Sequence, residues 1–158
     1  MNTAVSLLAT PESKRLLVVD DEMLVLAALR ETLLLEGYEV IACEDAREAL
    51  PLLGSKPFSV ILTDQQMPGL SGLEFLAEAK KIQPNATRIL ITAVLSLGTV
   101  IDAINRGEVY RFIVKPWLRE ELLVTVKNAA HRYELICANA ALHTQAVTMN
   151  DWSASPAI

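Results

Sequence analysis

Cysteine is almost absent: Cys43 and Cys137 are the two in 158 residues. Two thiols cannot build a disulfide framework, and their spacing fits no zinc motif, so both are read as buried or idle groups. A long apolar run is missing too. An apolar stretch without charge, Ile89 to Ile101, is too short to cross a bilayer and contains Thr, Ser and Gly. The N-terminus has no basic residue ahead of its short apolar patch, which counts against a secretory signal and leaves the cytoplasm as the expected location. Positive charge is not in excess either. The 14 Lys and Arg against 19 Asp and Glu leave a net charge of −5, which offers no field to a phosphate backbone, so proteins rather than nucleic acid or membrane are the expected partners. No internal repeat or low-complexity tract is visible.

What is present is apolar material. Hydrophobic residues make up 52% of the chain against 21% charged, enough to offset the conformational entropy lost on folding, and the length suits one domain plus tails. From Arg15 onward, apolar runs alternate with helical patterns, which predicts a parallel sheet covered on both faces. The strands are read at Arg15 to Val19, Tyr38 to Cys43, Phe58 to Thr63, Thr87 to Thr92 and Tyr110 to Val114. Between them lie helices over Met23 to Gly37, over "AREALPLL" behind an Asp45 cap, over "LEFLAEAKKI" and from Ser96 to Asn105. Pro51 is expected to kink or shorten the second helix. A last helix starts near Arg119 and meets no Gly or Pro until Pro156, longer than a compact domain needs, so it is expected to leave the body. Residues 1–13 and about 150–158 read as frayed ends.

Ligands of an open parallel sheet collect beyond the carboxyl ends of its strands. Here those ends carry Asp20 and Asp21 (first strand), Asp64 (third), Thr92 (fourth) and Lys115 (fifth). Three crowded carboxylates repel one another unless a cation neutralises them, and an all-oxygen acidic set suits Mg²⁺. Phosphoryl transfer needs such an ion, an in-line nucleophile and donors that spread the developing charge; Asp64, Lys115 and Thr92 can supply the nucleophile, a cationic donor and a hydroxyl donor.

Four segments, "VVDDE" (Val18 to Glu22), "LTDQQMPGLSG" (Leu62 to Gly72), "ILITA" (Ile89 to Ala93) and "FIVKPW" (Phe112 to Trp117), resemble in order and content the receiver domain of two-component response regulators, over about residues 14–128. The resemblance implies a flavodoxin-like, doubly wound α/β fold whose five-stranded parallel sheet has the order 2-1-3-4-5, as in the chemotaxis regulator, and here an extended C-terminal helix follows, residues 129–158 being read as helical extension and tail. It also implies that Asp64 is the phosphoacceptor and that Asp21 and Asp64 hold Mg²⁺ through their side chains, with Asp20 acting through water and Gln66 through its main-chain carbonyl. Thr92 and Lys115 would contact the phosphoryl oxygens, Pro116 would follow a cis bond, and Phe112 would be the switch aromatic paired with Thr92. The implied phosphodonor is a histidine kinase or histidine phosphotransfer protein. The segment "AINRGEVYRFIVKPW" (Ala103 to Trp117) resembles receivers fused to HD-GYP phosphodiesterases or transcriptional activators.

Plainer readings stand beside these. The paired aspartates could cap the next helix, Phe112 could be a core aromatic, and Thr92 gains a role only from its neighbours. A pseudo-receiver that only docks or dimerises would keep the same fold. A phosphohydrolase of the haloacid dehalogenase kind also uses an Asp after a strand, but its acid stands two residues on, where this chain has Gln66. His131 and His143 read as solvated helix residues. Along the last helix, Val126, Ala130, Tyr133, Cys137, Ala140, Thr144 and Val147 form one heptad-like stripe, and Leu135, Leu142 and Met149 a second. Homodimerisation through this helix or through the switch face, and a plain linker, all remain open at this point.

Overall fold

Four apolar residues in a row make β1 (Arg15–Val19) a strand that must be buried on both sides, and the structure, a computed structural model describing residues 15–93 and 97–154, buries it so. The element order continues α1 (Met23–Leu35), β2 (Glu39–Cys43), α2 (Ala46–Leu53), β3 (Val60–Asp64), α3 (Gly72–Ile82), β4 (Thr87–Thr92), α4 (Leu97–Asn105), β5 (Arg111–Val114) and α5 (Arg119–Ala154). All strands are parallel, in the order β2-β1-β3-β4-β5 that the family resemblance implied.

Residue parity sorts the core into two layers. Leu16, Val18, Val60, Leu62, Ile89 and Ile91 pack under α1 and α5. Leu17, Val19, Ile61 and Leu90 pack under α2, α3 and α4 with Phe58 and Phe75. This alternation along fully buried strands is why the apolar runs show no period-two polarity in the sequence.

Element bounds differ from the sequence reading by two residues at most, except at the C-terminus. Pro51 lies inside α2, which is 8 residues long and capped by the Asp45 carboxylate accepting from the Arg47 amide at 2.8 Å. The helix α5 runs on to Ala154, past the point where fraying was expected, because nothing before Pro156 breaks it. Its first turns lie in the core, with Leu122, Val126 and Ala129 fully buried. Further down, Arg132 donates to the Thr87 hydroxyl at 3.3 Å and stacks over the Tyr110 ring. Both residues flank the amino ends of β4 and β5, so α5 descends from the carboxyl rim of the sheet to its opposite pole. The expected N-terminal tail (1–13), the predicted helix start at Ser96, and the side chains of His143, Thr144, Val147 and Met149 lie outside the described residues. Among the described residues no helix is long and apolar enough to cross a membrane.

Candidate functional site

Register, not chance, gathers the acidic residues. Val19 pairs with Thr63, so one step further Asp20 stands level with Asp64, and Asp64 in turn pairs with Ile91. Thr92 pairs with Val114, which puts Lys115 one residue beyond the same row. The Lys115 amide bonds the Thr92 carbonyl at 2.9 Å, extending the ladder just far enough to hold that lysine at the rim.

There the carboxylates of Asp20, Asp21 and Asp64 approach within 4.8 Å of one another. Asp20 is fully buried and Asp64 is 6% exposed, whereas Asp21 faces solvent. The Lys115 ammonium lies between two of them, donating to Asp20 Oδ2 at 3.0 Å and standing 3.1 Å from Asp64 Oδ1. The other Asp20 oxygen accepts from the Glu22 amide at 2.9 Å, so both its oxygens are engaged by protein donors.

One ammonium cannot balance three carboxylates. Burial pushes the Asp64 carboxyl above its ordinary pKa and the nearby Asp20 charge adds to this, while Lys115 opposes both. For Lys115, burial alone would depress the ammonium, but its bonds to Asp20 and Asp64 outweigh that and the net shift is upward. The surplus negative charge, carried by oxygen donors, two of them buried, fits a hard divalent cation.

Around this centre, Thr92 is buried and faces a cavity of about 180 Å³ shared with Gln65, Gln66, Leu73, Leu90, Thr99 and Val100. Phe112 pairs with Leu90 in the sheet and packs, half-buried, in the same core layer. Gln66 is exposed on the loop after β3, and the Lys115–Pro116 bond is cis. His131 is exposed on α5 and stands 3.9 Å from Glu134.

Two residues of this site escaped the sequence reading. The Gln65 side chain accepts from the Leu73 amide at 2.8 Å, and its carbonyl accepts from Gly72 at 3.0 Å, tying the first turn of α3 to the residue after Asp64. Gly72 presses so close that an added Cβ would sit 2.2 Å from the Asp64 carbonyl oxygen. A readable signal marked this turn: Ser71 and Glu74 have capping-box spacing, and each side chain bonds the other's amide.

A family model for the response regulator receiver domain matches residues 16–127. Among curated proteins, the hydrogenase transcriptional regulatory protein HoxA of Cupriavidus necator is 43% identical over 113 residues, covering 72% of this chain and 23% of that protein. The chain thus spans about a quarter of the length of the first curated relatives it matches. Among solved structures, a CheY-like receiver domain from Methanospirillum hungatei superposes with a TM-score of 0.73 at 32% identity, over 77% of this chain and 96% of that one. The response regulator TrrA of Thermotoga maritima, solved with Mg²⁺ and a beryllofluoride group, gives 0.66 at 35% identity, over 73% and 98% of the two chains. With its sheet order, acid cluster and matched segment all in agreement, the chain belongs to the response regulator receiver domain family.

Proposed function

We propose that Asp64 is the residue that accepts the phosphoryl group in this chain, from the phosphohistidine of a histidine kinase or histidine phosphotransfer protein in the cytoplasm. The observation that carries this is the Lys115 ammonium set between Asp20 and Asp64, with three carboxylates inside 4.8 Å. An Asp64 oxygen forms the new O–P bond as the donor's N–P bond breaks, the electron pair remaining on the imidazole. Lys115 then pairs with a phosphoryl oxygen, and the Thr92 hydroxyl supplies a second donor.

Mg²⁺ fits the donor set described above. Asp21 and Asp64 would hold it by their carboxylates and Gln66 by its carbonyl, while Asp20, whose oxygens already accept from Lys115 and Glu22, would act through water. When bound, the ion neutralises the charge that gathers on the phosphoryl oxygens. A phosphoprotein donor is supported by the rim: Met23 and Leu24 at the start of α1 and Leu118 just before α5 are exposed apolar residues. The receiver unit is residues 14–128 and the remainder a helical extension and tail. The chain acts as a switch rather than on a metabolite, and its output is a partner or a further domain of the transcriptional-activator or HD-GYP kind. A second copy of the chain, met through the switch face or α5, is one such partner.

The test is intact mass after treatment with acetyl phosphate and Mg²⁺. Wild type should gain one phosphoryl group, while Asp64→Asn, or wild type in excess EDTA, should gain none. Labelling of Asp64→Asn at the wild-type level would refute the assignment.

The covalent change is read out on the face of α4, β5 and α5. Thr92 turns toward the phosphoryl group, and Phe112, in the same core layer, moves into the space beside α4. A full reversal of a two-state equilibrium takes roughly 5.5 kcal/mol of differential binding. Charge-assisted bonds at about 1.5–3 kcal/mol each, to Thr92 and Lys115, are of that order. Thr92→Ala should therefore still be phosphorylated on Asp64 yet lose most of the beryllofluoride-induced shift of β5 and α4 amide resonances; a full wild-type shift would exclude Thr92 from the switch.

A further inference from the structure

The loop between β3 and α3 is pinned at its ends and lightly held between them. At its base the Gln65 carbonyl accepts from the Gly72 amide at 3.0 Å, and the capping box of Ser71 and Glu74 fixes the start of α3. From Gln66 to Leu70, among the described residues, no hydrogen bond ties the chain down. Packing does that work instead. Met67 and Leu70 sit partly buried on the core layer under α2 and α3, and at the tip the Arg47 side chain covers Gly69.

This cover is close, and its geometry is defined. A Cβ placed on Gly69 would stand 2.9 Å from Arg47 Cζ, 3.0 Å from Nε and 3.1 Å from Nη1, so the guanidinium fills the space that a side chain would take. Gly69 also has a φ of +83°, which L side chains rarely adopt, so the tip favours glycine on two counts. The guanidinium is anchored in turn: Nε donates to Asp45 Oδ1 at 3.1 Å and Nη2 to Asp45 Oδ2 at 2.7 Å. Asp45 itself is fixed, because its carboxylate caps α2 through the Arg47 amide. In this way the first turn of α2 reaches across to the loop that follows Asp64.

We propose that Arg47 is a positioning residue for Mg²⁺: clamped by Asp45, it holds the loop through Gly69 and so sets the Gln66 carbonyl for the ion. The inference rests on the reading of Gln66 as a metal ligand given above. Gln66 stands three residues before the covered glycine, within the segment that has only packing to order it. Without the clamp, binding of the ion would have to order that segment as well, and affinity would fall. Shape here works against charge. A cation on this rim opposes a second cation, and its loss would leave the Asp45 carboxylate unpaired, so on charge alone removing Arg47 would tighten Mg²⁺ binding. On position, removing it weakens binding, and the two effects have opposite signs.

Titration of the full chain with MgCl₂, followed through the amide resonances of Asp64, Gln66 and Lys115, reads the affinity with no phosphodonor present. Arg47→Ala should raise the Mg²⁺ dissociation constant about three- to fivefold, the scale of one exposed contact. Its melting temperature should stay within about 2 °C of wild type. Arg47→Lys keeps the charge but loses the planar fork, and should weaken Mg²⁺ nearly as much. Gly69→Ala, whose methyl group displaces the guanidinium, should weaken binding in the wild-type background and add less in Arg47→Ala, where that space is free. Unchanged or tighter binding in Arg47→Ala, wild-type affinity in Arg47→Lys, or strictly additive effects at the two positions would each overturn the proposal and leave the metal site standing. A wild-type chain whose resonances at these residues ignore Mg²⁺ would instead overturn the metal reading, and this inference with it.

Discussion

Gly72→Ala is expected to lower the melting temperature by roughly 5–10 °C, which corresponds to about 2–3 kcal/mol for overpacking in a chain of this size. The new methyl group would stand 2.2 Å from the Asp64 carbonyl oxygen and 2.9 Å from the Gln65 Cα, both main-chain atoms that no rotamer change can move. Nor can α3 simply retreat. Its first two amides are bonded to the Gln65 carbonyl and side chain, at 3.0 and 2.8 Å, so relief of the clash breaks those bonds. Because the strain falls on the residue proposed to be phosphorylated, labelling by acetyl phosphate should also slow, on the order of 10–100-fold, even well below the melting point. An unchanged melting temperature and labelling rate would show that the α3 turn yields freely. A stability loss with normal labelling would show that Asp64 is positioned independently of it.

The second large effect lies at the opposite end of the sheet. Arg88 is 5% exposed on β4, and its guanidinium donates to the carbonyls of Gln83, Pro84, Ala86, Gly107 and Glu108 at 2.9 to 3.4 Å. It thereby joins the α3–β4 and α4–β5 turns. Burial, with Arg132 nearby, pushes its pKa below the usual guanidinium value, so the carbonyl shell is what makes the buried charge tolerable. Arg88→Met should cost about 3 kcal/mol, read as a lower urea midpoint at constant slope, since the carbonyls lose a shared donor while the volume is nearly kept. Arg88→Lys should recover only part of this, because one ammonium cannot span five acceptors. Acetyl phosphate labelling at low temperature should be normal in both, the acid cluster being at the other pole. A midpoint unchanged in Arg88→Met would mean that water replaces the guanidinium without loss.

How far the sequence went is clearest residue by residue. The strands were legible because their burial on both faces leaves continuous apolar runs. The gathering of Asp20, Asp64 and Lys115 was legible because each ends such a run. Arg88 was invisible for the converse reason: within "TRILIT" it reads as one polar residue of a strand, and its acceptors come from two turns distant in the chain. Gly72 stood only at the end of a family-like segment, one residue before the helix read at "LEFLAEAKKI", since a close approach to Asp64 depends on the path of α3. Of the two stripes on the last helix, the sequence could not choose, for only the docking of Val126 and Ala130 on the sheet spends one of them.

The continuity of α5 carries a mechanical corollary. Arg132 grips Thr87 and Tyr110 at the base of the sheet, and an unbroken rod of some 33 Å projects beyond that grip to Ala154. Such a rod works as a lever with its fulcrum at Arg132: a tilt of about 10° at the sheet would swing the tip by about 6 Å, given the helical rise. Motions too small to remodel the body could in this way become displacements large enough to separate or align whatever the far end holds.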